Sequence, residues 1–283
     1  MARLALSAAD AAALVQRGAV YLSGKRASAS GLLVKAGDKV LVVLEESGRS
    51  VLLPEATLAL RVLFQDGHLL AVDKPAGLPA QATPGGAHNL AALATAHLGH
   101  PAGLVHRLDK GTTGVTLFGV TPEATRALAR AFRLGQVRKQ YLAATGLGLP
   151  QRGTVALPLS RDPSRPGRWR ASSRAHGLAA LTEYRRLGQG PGYALAVLWP
   201  RTGRTHQLRA HLASLGAPLL SDALYGGVRD VRMERPALHA QVLVFRHPAS
   251  GTSLSVLAPV PEDLGALFLE SGTEAPGGPV LEG

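Results

Sequence analysis

The sequence predicts an α+β protein in which most strands are joined as hairpins. Short apolar runs separated by turn-forming residues recur at 62–72, 181–199 and 238–258. Two stretches with the apolar spacing of amphipathic helices lie between them, near 89–98 and from 121 to 135. The 283 residues are enough for one large domain with a hydrophobic core and a small additional module.

The charge balance favours a polyanionic partner. Lysine and arginine number 31 against 19 acidic residues, a formal charge of +12. No basic amphipathic anchor helix accompanies this charge, so nucleic acid is favoured over a membrane surface. The absence of cysteine excludes disulfides, thiolate catalysis and cysteine-ligated zinc. Neither a membrane-spanning apolar run nor a signal-peptide pattern occurs, and we expect a cytoplasmic protein.

The first 48 residues predict a small αβ module. A helix over 7–17 begins with the capping pair Ser7 and Asp10, and a basic hairpin over 19–26 and a strand over 40–44 follow. This order resembles the later part of the αL, or S-four-type, RNA-binding module, whose usual first helix is missing or shortened here. A simple αβ extension packed on the main domain is the alternative. Residues 49–60 are interpreted as a linker.

The clearest helical signal begins at Thr121. Threonine is a good helix cap, Pro122 suits the first helical position, and Glu123 favours the positive N-terminal end. Apolar residues then form one stripe until Gly135. The strand predicted over 137–144 follows the helix.

Asp109 is the candidate reactive group, in a loop that enters the strand predicted over 115–120. Arg107 and Lys110 flank the acid and favour its charged form. A charged acid on a loop held by a sheet is a plausible catalytic residue. An aspartate that only caps a turn is the alternative.

Two further basic stretches predict contacts with anions. Arg201 and Arg204 precede a helix whose first residues have free backbone N–H groups, which together form an anion site. Within 160–177, Trp169 lies among arginines that could hold phosphates while the indole stacks on a base, or the segment is a mobile loop. His206 and His211 are five residues apart, on different helical faces, and predict no metal site.

Three motifs in one order carry a family resemblance: His106-Arg-Leu-Asp109, Arg138-Lys-Gln-Tyr141 and Arg201-Thr-Gly-Arg-Thr-His-Gln207. Flanking segments add to it: Asp73-Lys-Pro-Ala-Gly77, Asp222-Ala-Leu-Tyr-Gly226, Leu238-His-Ala240 and His247-Pro248. Over residues 60–268 the sequence resembles the RluA family of RNA pseudouridine synthases. It departs from the family's usual residues at Thr113, Leu208, Ala217 and Ser221, and none of these is expected to react.

The resemblance implies the pseudouridine synthase fold, a mixed and mostly antiparallel sheet flanked by helices and loops, over 61–270. It implies an isomerisation that detaches uracil from ribose, rotates it and reattaches it through carbon-5, with no cofactor and no metal. RNA is the implied partner, with ribosomal RNA favoured over tRNA. Residues 271–283 lack periodicity and predict a disordered tail, and a monomer is the default.

The resemblance also implies roles for individual residues. Asp109 is nucleophile or base, acting on the anomeric carbon, the uracil ring or a ribose proton. Arg204 is its ion-pair partner, and Tyr141 stacks on uracil. Arg107 fills the space left by a flipped uridine, or contacts a phosphate instead. The remaining expected RNA contacts are Lys74, His106, Lys139, Arg168, Trp169, Arg201, Thr205 and His206, of which His106 is also expected to support the loop.

Two other classes of protein are weighed against the synthase. A non-catalytic ribosome-assembly factor would bind RNA without modifying it, and the set Asp109, Tyr141 and Arg204 argues against that. A glycosidic hydrolase would ordinarily use a second carboxylate, and none is evident in these motifs.

Overall fold

The computed structural model describes residues 59–82, 88–171 and 177–280, together with Ala12, Val15, Val34 and three short strands before residue 43. Ala12 and Val15 are helical, within the helix predicted over 7–17. The strands β1 (Val20–Leu22), β2 (Lys25–Arg26) and β3 (Val40–Val42) form an antiparallel sheet in the order β2-β1-β3. Nearly all of the predicted linker lies outside the described residues.

A ten-stranded sheet forms the framework of the main domain. Its strands follow the order β4-β5-β7-β14-β8-β13-β12-β9, with β6 added to β7 and β15 added to β14. Among the described strands of this sheet, β7 and β14 are the parallel pair and the other pairings are antiparallel. The sheet is therefore mixed and mostly antiparallel, as predicted. In chain order the strands are β4 (Arg61–Gln65), β5 (Leu69–Lys74), β6 (Gly103–Leu104), β7 (Thr113–Gly119), β8 (Arg138–Thr145), β9 (Arg152–Val155), β10 (Leu159–Arg161), β11 (Trp169–Ala171), β12 (Thr182–Gly190), β13 (Tyr193–Pro200), β14 (Leu238–Arg246) and β15 (Ser253–Leu257), of which β10 and β11 form a separate hairpin.

The described residues between 59 and 280 contain four helices: α1 (Leu90–Leu98), α2 (Pro122–Arg133), α3 (Gln207–Ser214) and α4 (Glu262–Glu270). The predicted cap of α2 is present, since the Thr121 hydroxyl accepts a hydrogen bond from the Ala124 N–H at 3.2 Å. In the part of the chain that the structure describes, no helix is long and apolar enough to cross a membrane.

Helices α3 and α4 pack on opposite faces of the β8–β13 region. Because side chains alternate along a strand, Leu142 on β8 faces the apolar side chains of α4, whereas Ala143 faces Leu208 and Leu212 of α3. Each face of this part of the sheet is thus buried under one helix. The face under α3 is the one that carries Tyr141.

The parallel pairing of β7 with β14 joins two halves of the sheet. Gly114 pairs with Ala240 at a φ of 113°, and a Cβ there would lie 2.1 Å from the Ala240 carbonyl oxygen. Only glycine permits this approach. It places the loop that precedes β7 beside the first residues of β14.

The C-terminal segment over 271–280 is packed against the sheet, which corrects the prediction of a disordered tail. Gln140 on β8 and Gln241 on β14 are 4% and 1% exposed and are joined by a hydrogen bond of 2.8 Å. Gln140 also donates to the Gly278 carbonyl and accepts from the Val280 N–H, and Gln241 donates to the Pro276 carbonyl. The aperiodic tail is ordered because its backbone satisfies two buried amides. Residues 281–283 lie outside the described residues.

Candidate active site

The Asp109 side chain lies at the mouth of the loop that enters β7, with 31% of its surface exposed. Its backbone carbonyl accepts a hydrogen bond from the Thr112 N–H at 3.0 Å, which closes a turn. Asp109 thus does close a turn, but through its backbone. The carboxylate remains accessible to a ligand.

Lys74 fixes this loop from below. Its ammonium is fully buried and donates to the carbonyls of Pro75, Leu78 and Lys110 at 2.9, 2.9 and 3.0 Å. Burial lowers the pKa of Lys74 to about 7, while the charge of Asp109 acts in the opposite direction. Three acceptors match the three N–H bonds of an ammonium, so Lys74 is charged in this arrangement. The predicted phosphate contact is therefore corrected, because Lys74 ends β5 with its side chain turned inward.

Arg235 holds the next carbonyl of the same loop. Its Nη1 lies 3.4 Å from the Gly111 carbonyl oxygen and 2.9 Å from that of Leu238. Its Nε and Nη2 each donate to Asp263, at 2.8 Å, in the first turn of α4. Two buried cations thus bind consecutive carbonyls of the Asp109 loop.

The arginine beside Asp109 is Arg209, not Arg204. Arg209 is 3% exposed, and its Nη1 lies 3.7 Å from Asp109 Oδ2. Arg204 is exposed and its Nε donates to the Ala179 carbonyl at 3.0 Å. The predicted ion pair is corrected because Arg204 precedes α3, whereas Arg209 lies in its first turns and projects toward the loop.

Asp222 orients Arg209 from the other side. This fully buried carboxylate accepts from Nε and Nη2 of Arg209 at 2.7 and 2.8 Å. The bidentate pair leaves Nη1 directed toward Asp109. A buried acid therefore positions the arginine that faces the exposed acid.

His206 lies at the start of α3 in the left-handed backbone region, with a φ of 54°. Its Nε2 is 3.9 Å from Asp109 Oδ2 and 3.1 Å from Arg209 Nη1. A guanidinium only donates, so Nε2 accepts this hydrogen bond. The strained backbone at a non-glycine residue is typical of a functional site.

Tyr141 lies on β8 with its side chain among the residues under α3. Burial, and then the charge of Asp109, raise the pKa of this phenol well above its ordinary range. The hydroxyl is therefore protonated at neutral pH. The charge of Asp109 thus acts on the Tyr141 hydroxyl.

Basic residues surround this centre. Arg107 and Thr205 are exposed, as an RNA contact requires. Lys139 donates to the Thr202 carbonyl at 2.8 Å, and burial together with the charges of Arg201 and Arg204 lowers its pKa to about 8. Arg201 is also held by Glu183 through bonds of 2.9 and 2.8 Å. The predicted contacts Lys139, Arg201 and Arg204 form one positively charged rim.

His106 faces inward. Its ring stacks on Phe132 with centroids 4.3 Å apart, and its Nε2 accepts from the Leu117 N–H at 3.0 Å. Burial lowers its pKa to about 3, so the ring is neutral. The expected support of the loop is present, because Nε2 and one ring face are used internally, whereas the expected RNA contact stays a prediction.

The arginine-rich segment forms the β10–β11 hairpin and packs beside α3. The backbone N–H of Trp169 donates to the Tyr225 hydroxyl at 2.9 Å, and the Trp169 ring is partly buried with Leu159 and Ala210. Arg168 lies 3.7 Å from Asp162 and has its guanidinium carbon 5.4 Å from the Tyr225 ring centroid. The hairpin is therefore joined to the site, although residues 172–176 lie outside the described residues.

Sequence reasoning missed Arg209, Asp222, Tyr225 and Arg235. Arg209 follows the Arg-Thr-His-Gln motif after one residue, Leu208, and Asp222 and Tyr225 belong to the quoted Asp-Ala-Leu-Tyr-Gly segment. These three residues thus lie in or beside the quoted motifs, but the motifs alone assigned no role to them. Within the described ranges, no group of three or more histidine, aspartate or glutamate side chains could hold a metal ion.

The chain is similar to known proteins in sequence and in structure. Residues 68–214 match the family model described as RNA pseudouridylate synthase. The chain is 36% identical over 281 residues to the ribosomal large subunit pseudouridine synthase D of Xanthomonas campestris, covering 90% of this chain and 81% of that protein. It is 36% identical over 251 residues to the protein of that name from Nitrosomonas europaea, covering 83% and 72%. The solved structure of human RNA pseudouridylate synthase domain containing 4 superimposes with a TM-score of 0.63 at 29% identity, covering 77% of this chain and 95% of that one.

Proposed function

The chain belongs to the RNA pseudouridylate synthase family and is an RNA pseudouridine synthase, an isomerase; on that premise we propose that it modifies specific uridines of large-subunit ribosomal RNA through Asp109. The assignment of the residue rests on the position of this carboxylate, which is partly exposed at the mouth of the site with Arg209 at 3.7 Å. Acting as a nucleophile or as a base both require the ionised acid. The buried arginine lies where it can pair with an ionised carboxylate.

Tyr141 supports this chemistry as a neutral phenol. Its raised pKa means that it offers an aromatic face and a hydroxyl hydrogen to the base rather than a phenolate. Stacking on a flipped uracil and relaying the proton lost from carbon-5 are compatible with that state. We propose both roles for it.

Arg107 is proposed to fill the space that the flipped uridine leaves. It is exposed and lies two residues before Asp109, at the mouth of the site. Flipping a base from a duplex costs a few kcal/mol, which an inserted guanidinium offsets by bonding the bases left behind. Arg107→Ala should therefore slow conversion more on a duplex substrate than on a single strand. Equal loss on both would leave a phosphate contact as its role.

Ribosomal RNA is the proposed substrate because two similar bacterial proteins bear that specificity in their names and because the formal charge of +12 suits a large polyanion. The test is pseudouridine mapping of total RNA from cells with and without the gene, complemented with wild type or with Asp109→Asn. A position in large-subunit RNA should be lost on deletion and restored only by the wild type. A position in tRNA would assign the same chemistry to tRNA. Restoration by Asp109→Asn would remove Asp109 from the mechanism.

A further inference from the structure

A β-bulge in β14 lies directly beside Tyr141. Along the ladder of β8 and β14, the pair Tyr141–Ala240 is followed by the pair Gln140–Val242, so Gln241 is an extra residue with no counterpart on β8. A bulge bends its strand and redirects the neighbouring side chains, and bulges are common next to active sites. The direction of the Tyr141 side chain therefore depends on the shape of this bulge.

Ala240, the residue before the bulge, connects the strands of both reactive groups. It pairs with Tyr141 on β8 and, on its other side, with Gly114 on β7, the strand that the Asp109 loop enters. The described pairing of β7 with β14 ends at this residue. The backbone around Ala240 thus sets the spacing between Tyr141 and the Asp109 loop.

Two glutamine side chains tie the bulge to the C-terminal segment. Gln241 donates to the Pro276 carbonyl, and its Oε1 accepts from Gln140 at 2.8 Å. Gln140 also donates to the Gly278 carbonyl at 3.0 Å and accepts from the Val280 N–H at 2.7 Å. Because a backbone N–H only donates and a carbonyl only accepts, these partners fix the orientation of both amides.

This network is closed to water. Gln140 and Gln241 are 4% and 1% exposed, and Ala275 and Val280 pack against the apolar core under α4. A buried amide that loses its partner costs more than the bond itself contributes, because the group is left desolvated. If the segment leaves, the glutamines regain partners only by moving, and the backbone of the bulge moves with Gln241.

We propose that residues 276–280 are a positioning element for the reaction: through Gln140 and Gln241 they hold the bulge that places Tyr141 relative to Asp109. The inference rests on the proposed function, because it takes Tyr141 as the residue that stacks on the flipped uracil. The segment packs on the α4 face of the sheet, opposite to Tyr141, and does not touch the reacting atoms. Placement matters because a shift of about 1 Å from the reactive geometry costs on the order of a hundredfold in rate.

The test compares a chain that ends at Ala275 with a chain that ends at Val280, which keeps every hydrogen bond of the network. The probe is unmodified large-subunit ribosomal RNA transcribed in vitro, with single-turnover rate, RNA affinity and melting temperature measured for each protein. In the shorter chain the rate at saturating RNA should fall about tenfold or more with affinity within about twofold, as when an interaction matters only in the transition state. The chain that ends at Val280 should keep the wild-type rate.

A point variant carries the same test without shortening the chain. Gln241→Met keeps the length of the side chain and loses the amide, and its rate should fall in the same way. The control is Tyr193→Phe, because Tyr193 is 1% exposed and its hydroxyl donates to the Leu267 carbonyl and to Glu270 on the same face of the sheet. It should lower the melting temperature and keep the rate, which separates positioning from loss of stability.

Two kinetic results would overturn the proposal. One is a wild-type rate for Gln241→Met at saturating RNA. The other is additivity: if shortening the chain to Ala275 slows the reaction as much in the Gln241→Met background as in the wild type, the segment does not act through Gln241.

A measurement without RNA separates this inference from the proposed function. NMR of ring-labelled tyrosine reports the surroundings of Tyr141, whose signal is identified by its loss in Tyr141→Phe. The signal should move in Gln241→Met and stay in place in Tyr193→Phe, and an unmoved signal in Gln241→Met would refute the proposal. Failure of the wild type to form pseudouridine in the transcript, with the signal moved in Gln241→Met, would refute the assigned substrate and leave the link between the segment and Tyr141 standing.

Discussion

Arg209 is held by Asp222 in a bidentate pair, with Nε to Oδ2 at 2.7 Å and Nη2 to Oδ1 at 2.8 Å, while its third nitrogen faces Asp109. The buried acid and the exposed acid therefore share one arginine. Asp222 fixes the position of the guanidinium, and Asp109 interacts with its charge.

Asp222→Asn should destabilise the protein and slow the reaction together. Removing one partner of a buried ion pair costs about 3–5 kcal/mol, because the remaining charge is left desolvated. Urea unfolding and the single-turnover rate check this. The control is Asp230→Asn, whose partner Arg232 is 30% exposed and also paired with Glu270, and it should cost less than about 1 kcal/mol. Equal stability of the two variants would contradict the assigned role of Asp222.

Arg209→Lys should lower the rate at saturating RNA by about a hundredfold or more, as the loss of a preorganised charge at a reacting centre does. Lysine keeps the charge, but its single nitrogen cannot reach Asp222, His206 and Asp109 at once. Arg204→Ala should instead weaken RNA binding and leave that rate little changed, since Arg204 lies on the exposed rim. Steady-state kinetics on both variants decide this, and the reverse pattern would restore Arg204 as the partner of Asp109.

Lys74→Met should lower the melting temperature without altering the salt dependence of RNA binding. The substitution leaves three carbonyls without their buried donor, and each unsatisfied group costs roughly 1–3 kcal/mol. The matched comparison is Arg107→Ala, which should reduce the slope of log K against log salt by about 0.7–0.9, the value for one lost phosphate contact. A reduced slope for Lys74→Met would show that this side chain reaches RNA.

His239 should make the protein less stable in mild acid. It is fully buried between the Thr113 hydroxyl and the Ala258 carbonyl, and burial lowers its pKa to about 4. Below pH 6.5 the His239 side chain binds a proton in the unfolded chain but stays neutral in the folded chain. The free energy of unfolding that is present above pH 6.5 is therefore lost progressively as the pH falls toward 4.

His239→Gln should flatten this dependence, because glutamine can replace both hydrogen bonds and does not titrate. Urea unfolding near neutral pH and at about pH 5 measures the difference. His100→Gln, at an exposed histidine, is the control and should retain the wild-type slope. A slope unchanged in His239→Gln would place the acid sensitivity elsewhere.

The sequence was sufficient to predict those elements whose structure is determined by interactions between residues close together in the chain. Thr121 and Pro122 start α2 because a capping hydroxyl and a ring with fixed φ act within one turn. The hairpins and the position of Asp109 ahead of β7 followed in the same way from apolar alternation and turn residues. The helix α4 was missed, although Leu264, Leu267 and Phe268 carry its buried face.

Contacts between residues far apart in the chain determine the features that could not be predicted from the sequence. Three arginines lie within nine residues at 201–209, and which of them meets Asp109 depends on the left-handed turn at His206. The inward direction of Lys74 depends on carbonyls up to 36 residues away. The packing of residues 271–280 depends on two glutamines in strands that lie earlier in the chain, Gln140 on β8 and Gln241 on β14. Neither composition nor periodicity records such partners.

The late position of β14 in the chain delays the completion of the Asp109 site during synthesis. A growing polypeptide completes the Asp109 loop and β7 long before it reaches Leu238, the start of the strand against which that loop is set. Segments that pair over such separations assemble slowly, and their edges remain open until the partner arrives. The buried Gln140 and Gln241 side chains then find their backbone partners within Pro276 to Val280, which follow β14 in the chain. The Asp109 loop therefore reaches its final setting only after β14 has been made and has paired with β7.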